Sequence, residues 1–86
     1  SELPSRLEAL RTGIATSTTE TVNHAAHALK GSSASLGATQ VTETARIIEE
    51  NARANSLEGS DTAVDRLEIE LNALQEWLRS EGLLGD

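Results

Sequence analysis

The 86-residue chain contains no cysteine, methionine, phenylalanine or tyrosine, and it has one tryptophan, Trp77, and one proline, Pro4. The lack of cysteine removes a disulfide framework and any cysteine-based zinc site. Almost no alternation of β-branched and aromatic residues is present to specify a sheet. No apolar run approaches the roughly 20 residues of a membrane span, and no signal-peptide pattern is visible. Basic residues are scarce too: seven Lys and Arg stand against fourteen Asp and Glu, for a net charge of −7. A chain without a basic stripe interleaved with aromatics cannot follow a phosphate backbone, so nucleic acid is an unsuitable partner, and so is an anionic membrane.

The negative charge is unevenly placed. Residues 1–46 hold four acidic and four basic groups, so the whole excess comes from residues 47–86. What the chain has in quantity is Ala, Leu, Glu and Arg, which favour helix. Its length suits one domain, and a domain of this size buries only roughly 60% of its unfolded surface. That leaves little room for an enclosed cleft, and a functional site is expected on the surface.

Spacing and capping residues predict four helices, at about 4–15, 18–36, 40–54 and 61–80. In the first, Leu3, Leu7, Leu10 and Ile14 recur at helical intervals, with Pro4 in the first turn. Ser17 with Glu20 reads as a capping box that opens the second, whose inward side is Val22, Ala25 or Ala26, Leu29, Ser33 and Leu36; Gly37 stops it. Thr39 caps the third, with Val41, Thr44 or Ala45, Ile48 and Ala52 inward. After a loop at Gly59, Ser60 and Asp61 start the fourth, where Val64, Leu67, Leu71, Leu74 and Leu78 alternate spacings of three and four until Gly82. Short connections make neighbours antiparallel, so the expected fold is all-α, an up-down-up-down four-helix bundle over residues 1–86 with an aliphatic core.

The chemistry concentrates in the run His27-Ala28-Leu29-Lys30-Gly31-Ser32-Ser33-Ala34-Ser35-Leu36-Gly37-Ala38. On a helix, His27, Lys30 and Gly31 share one face. Lys30, one turn from the imidazole, can offset the charge of phosphoryl oxygens. Gly31 costs roughly 1 kcal/mol relative to alanine inside a helix, and access to the neighbouring ring supplies the reason to keep it. Ala34, one turn further, keeps the same stripe low. The serines at 32, 33 and 35 have no base beside them; bonding back to the preceding turn and letting helices approach accounts for them.

A hairpin of the second and third helices that turns near Ala38 places residues equidistant from the turn opposite each other, and His27 then faces Glu49. A carboxylate accepting from Nδ1–H would fix the tautomer, leave Nε2 as nucleophile and stabilise positive charge on the ring. Glu50 and Glu43 are the alternatives if the register slips. His24, three residues before His27, raises a metal site with Glu20 and Glu49, but no His-Glu-x-x-His or Glu-x-x-His pattern supports it, and no metal or cofactor is expected in this chain. No Gly-x-x-x-x-Gly-Lys-Ser/Thr loop is present, so no ATP site is expected either.

The run from His27 to Ala38 resembles the signature of the histidine-containing phosphotransfer (HPt) domain family, His-x-x-Lys-Gly followed by small residues and Gly-Ala. The resemblance implies a phosphorelay carrier rather than an enzyme, with His27 as phosphoacceptor, Lys30 stabilising the phosphoryl charge, Gly31 giving access and Glu49 orienting the ring. It implies response-regulator receiver domains, and a histidine kinase catalytic domain, as partners, with Mg²⁺ held by the receiver. The docking footprint would take in Asn23, His24 and Ala34, with partly exposed residues of the first helix adding apolar contact. Family domains often carry more helix ahead of Leu3, so the chain resembles a trimmed module or the C-terminal part of a hybrid sensor kinase. A monomeric domain in the cytoplasm, free or as the soluble part of a membrane-anchored kinase, is what this implies. The competing expectation is a helical interaction or dimerisation module in which the fourth-helix seam binds a partner and His27 is incidental.

Overall fold

The structure, a computed structural model, describes residues 2–82 and their side chains from Pro4 onward. Leu3 as a core position and the outermost parts of the 1–86 span lie outside what is described. Four helices are present: α1 (Glu2–Ala15), α2 (Thr19–Ser35), α3 (Thr39–Arg53) and α4 (Ser60–Ser80). Each boundary falls within two residues of the one expected from spacing.

The helices stand in a square, α1 against α2, α2 against α3, α3 against α4 and α4 back against α1, with no close backbone approach across either diagonal among the described residues. The fold is an all-α four-helix bundle. Thr19 to Asn55, His27 to Glu49 and Ser33 to Thr42 are successive bonds along α2 and α3, so that pair is antiparallel. The bundle measures 39 × 19 × 18 Å.

Its core is aliphatic and rich in alanine. Leu10, Val22, Ala25, Ala26, Leu29, Val41, Ala45, Ile48, Ala52, Val64, Leu67 and Leu71 form one buried cluster, with Leu7, Ile14 and Leu74 packed partly against it. Leu78 is buried as well. The fourth-helix seam is therefore spent inside the bundle, which removes the surface that the competing interaction module required. Leu36 departs from its expected inward position: it is 45% exposed, because it is the C-cap of α2 and the chain has already left the helical face.

Small side chains let the helices approach. At Gly13 the fit is close, since a Cβ there would lie 2.8 Å from Val22 Cγ2. Alanine at that position would have to push α1 away from α2.

The capping differs from expectation at two helix starts. Ser17 does not cap α2; Thr18 is the N-cap, in extended backbone, without a side-chain cap bond. Ser17 instead has a φ of +55° and closes α1, with Thr18 N–H donating to the Gly13 carbonyl at 2.8 Å and Ser17 N–H to that of Ile14 at 3.1 Å. Likewise Ala38, not Thr39, is the N-cap of α3. The same left-handed closure ends α2 at Gly37, where Ala38 N–H reaches the Ser33 carbonyl at 2.9 Å, and α3 at Asn55, where Ser56 N–H reaches that of Asn51 at 2.9 Å. This double-bonded closure satisfies carbonyls that the helix end leaves without partners.

The tip of the α2–α3 hairpin is pinned by a polar pair, buried Ser33 and half-buried Thr42. Ser33 Oγ lies 2.6 Å from the Leu29 carbonyl and 2.9 Å from Thr42 Oγ1, and Thr42 Oγ1 lies 2.8 Å from the Ala38 carbonyl, so one hydroxyl donates across to the other while the second donates back to its own helix. Bonding back to the preceding turn is what the sequence suggested for these serines; the cross-helix partner Thr42 supplies a register lock. That lock sets which residues face one another further along the pair.

Candidate functional site

His27 sits on the side of α2 opposite Leu29 and Ser33, and its side chain is 68% exposed. Gly31 and Ala34 follow on the same open face. A Cβ added at Gly31 would meet nothing within 4 Å, and α2 runs through it as far as Ser35. The glycine therefore marks neither a helix end nor a tight contact, and its effect is to leave the flank of the ring bare.

Across the hairpin, Glu49 follows Ile48 at the edge of the buried face of α3, and its side chain is only 2% exposed. Its Oε2 is 2.7 Å from His27 Nδ1. Its Oε1 is 2.7 Å from Lys30 Nζ. Arg53, one turn further along α3, donates from Nη2 to Oε2 at 3.2 Å. Asn23 fastens the same residue from α2, its Nδ2 donating to the Glu49 backbone carbonyl at 3.3 Å. The fallback carboxylates are occupied elsewhere: Glu43 and Glu50 both accept from Arg46 on the exposed side of α3.

A carboxylate out of water is costly unless it is paired. Burial pushes the Glu49 carboxyl up, but the hydrogen bonds from Lys30 and His27, together with their charges, outweigh it and hold the group below its ordinary value. Glu49 is thus ionised at neutral pH. An ionised carboxylate only accepts, so Nδ1 carries the ring proton, and in a neutral ring the lone pair is left on Nε2. The arrangement yields an exposed imidazole with a fixed tautomer, a nucleophilic nitrogen aimed at solvent and a cation one helical turn away.

Two placements were not legible in the sequence. Lys30 does not reach out toward solvent but is tied to Glu49. Arg53 joins Glu49 through a pairing whose signal in the sequence is the i+4 spacing of the two residues on one helix. His24 is exposed and, with Thr19, Glu20, Asn23, Ala52, Arg53 and Asn55, lines a shallow groove of about 340 Å³ beside the site. Among the described residues, no group of three or more His, Cys, Asp or Glu side chains converges where a metal ion could sit. No described helix is long and apolar enough to cross a membrane.

The described residues thus form a helical bundle that presents an oriented histidine, His27, on its surface. The Hpt domain family model matches residues 1–77, and the chain belongs to that family. Hpt domains are phosphotransfer carriers of two-component signalling, distinct from catalytic domains, and they interact with response-regulator receiver domains. No significant match to a curated protein or to a solved structure was found.

Proposed function

We propose that His27 accepts a phosphoryl group at Nε2 from the phospho-aspartate of a receiver domain, or from a histidine kinase domain, and passes it to the aspartate of another receiver. The observation that carries this reading is the 2.7 Å contact of Nδ1 with buried Glu49 on a ring that is otherwise exposed. In the transfer, the Nε2 lone pair forms the N–P bond as the O–P bond of the acyl phosphate breaks, and the aspartate carboxylate leaves with that electron pair. The proton stays on Nδ1, the ring becomes cationic, and Glu49 stabilises it. Such a transfer proceeds largely through positioning and electrostatics, so the carrier needs no ATP site of its own. Mg²⁺ belongs to the acidic pocket of the receiver, which neutralises the phosphoryl oxygens.

Docking would use the open face of α2 around His24, His27, Gly31 and Ala34, with Asn23 acting at its edge through Glu49. The domain would act as a monomer on the cytoplasmic side of a relay, alone or within a larger hybrid kinase. The reading is tested by incubating the domain with a phosphorylated receiver and measuring acid-labile label. Wild type should take up label and His27→Gln should take up none; label retained by His27→Gln would reject the assignment.

A further inference from the structure

Glu49 has more cationic partners than an orienting carboxylate needs at rest. Oε2 takes both His27 Nδ1 and Arg53 Nη2, while Oε1 takes Lys30 Nζ alone. The two flanking cations differ in kind. An ammonium is a compact, mobile point charge, whereas a guanidinium is a planar fork with five N–H donors, of which the bond to Oε2 uses one. Lys30 is on the same helix and the same face as His27, whereas Arg53 reaches Glu49 from α3 itself.

We infer that Arg53 is a positioning residue that holds Glu49 on the imidazole once Lys30 is drawn to a phosphoryl group on His27; this rests on the function proposed above. A phosphoryl group on Nε2 brings about two negative charges to within one helical turn of Lys30. The Lys30 ammonium lies 2.7 Å from Oε1, and as a mobile point charge it leaves that oxygen when drawn to the denser charge of the phosphoryl group. The vacated oxygen is nearly sealed from water, and a carboxylate left half-paired there would draw its proton from Nδ1 or turn out toward solvent. Arg53 prevents both by keeping a charge-assisted bond on Glu49 that does not depend on Lys30, and its fork can take up the freed Oε1. The exchange forms and breaks only hydrogen bonds and ion pairs. The covalent step remains that of the relay itself.

The test compares the free and the loaded domain, using phosphoramidate as the donor so that no partner protein is needed. In loading, the N–P bond of phosphoramidate breaks, ammonia leaves, and the Nε2–P bond forms. Arg53→Gln should leave the Nδ1–H signal of the free ring and the thermal midpoint close to wild type, because Lys30 still holds Glu49. In the loaded form the same variant should exchange its Nδ1 proton faster and lose label sooner, by roughly three- to fivefold, the scale of one exposed ion pair. Arg53→Lys should restore part of the lifetime. In a Lys30→Gln background, where no exchange of partners occurs, Arg53→Gln should perturb the free ring as much as the loaded one. Equal effects of Arg53→Gln on free and loaded wild-type background, or no effect on either, would overturn the inference and leave the carrier function standing. Failure of wild type to load at His27 would overturn the function, and the inference with it.

Discussion

His27 Nδ1 and Glu49 Oε2 are 2.7 Å apart across the α2–α3 pair, although 22 residues separate them in the chain. Both residues are eleven positions from Ala38, the N-cap of α3. A hairpin of two antiparallel helices locked at its tip by Ser33 and Thr42 brings such positions level. In the neutral ring the contact leaves one defined proton on Nδ1 and one defined lone pair on Nε2, which is the chemical requirement for a nitrogen nucleophile.

Removing the carboxylate should therefore alter the ring before it alters the fold. Glu49→Ala is expected to shift the imidazole ¹⁵N resonances toward a mixture of tautomers, with helical content retained by circular dichroism. Label uptake should fall roughly tenfold, the scale of losing a hydrogen bond to a charged group. Ring resonances that stay where they were would show that Glu49 does not set the tautomer.

Acid should weaken the bundle partly through the same group. Burial raises the Glu49 carboxyl, the bonds and charges of Lys30 and His27 lower it by more, and the net position is below the ordinary value of 4.5. A depressed carboxyl contributes stability that is fully present above that ordinary value and is lost as pH falls through the lower folded value. Chemical unfolding followed across pH 6 to 2.5 should show this decline, and Glu49→Gln should flatten it. Glu43 is likewise held low, by its hydrogen bonds with Arg46, but it is exposed, so Glu43→Gln should change the curve less. Identical acid limbs for wild type and Glu49→Gln would contradict the assignment.

At Gly31, stability and function should separate. The position is helical and open, so Gly31→Gln relieves a helix penalty of about 0.5–1 kcal/mol and should raise the thermal midpoint slightly. The new side chain would stand beside His27 on the docking face, and transfer from a phosphorylated receiver should slow. Rapid-mixing kinetics that match wild type would refute the access argument.

Gly13 should behave in the opposite way. Its Cβ-free backbone meets Val22, with the Val22 main-chain nitrogen 3.2 Å from where a Cβ would lie, so only part of the contact can give way. Gly13→Ala gains helix propensity yet should destabilise by about 1–3 kcal/mol through overpacking. For a domain of this size, each kcal/mol lowers the midpoint by roughly 4–8 °C. An unchanged or raised midpoint would mean that α1 can move away from α2 at no cost.

Periodicity was enough to read the helices because each one carries its own apolar repeat, and Val41, Thr44, Ala45, Ile48 and Ala52 all fall inside as their spacing requires. Caps were less legible. Ser17 has the side chain of an N-cap, but the chain needed a left-handed residue to close α1 at that point, and backbone geometry overrode side-chain preference. Leu36 shows the limit of periodicity at a helix end, where the pattern continues for one residue after the helix has stopped.

The order of residues along the chain determined four amphipathic helices, the hairpin at Gly37-Ala38 and a shared face for His27, Lys30 and Gly31, because these depend on interactions within a few residues. The tertiary structure alone decided that Lys30 rests on Glu49, that Arg53 joins it and that Gly13 lies against Val22 with no room for a Cβ. Those outcomes depend on the distance between helices and on how deeply a carboxylate is withdrawn from water, and neither quantity is encoded by local spacing.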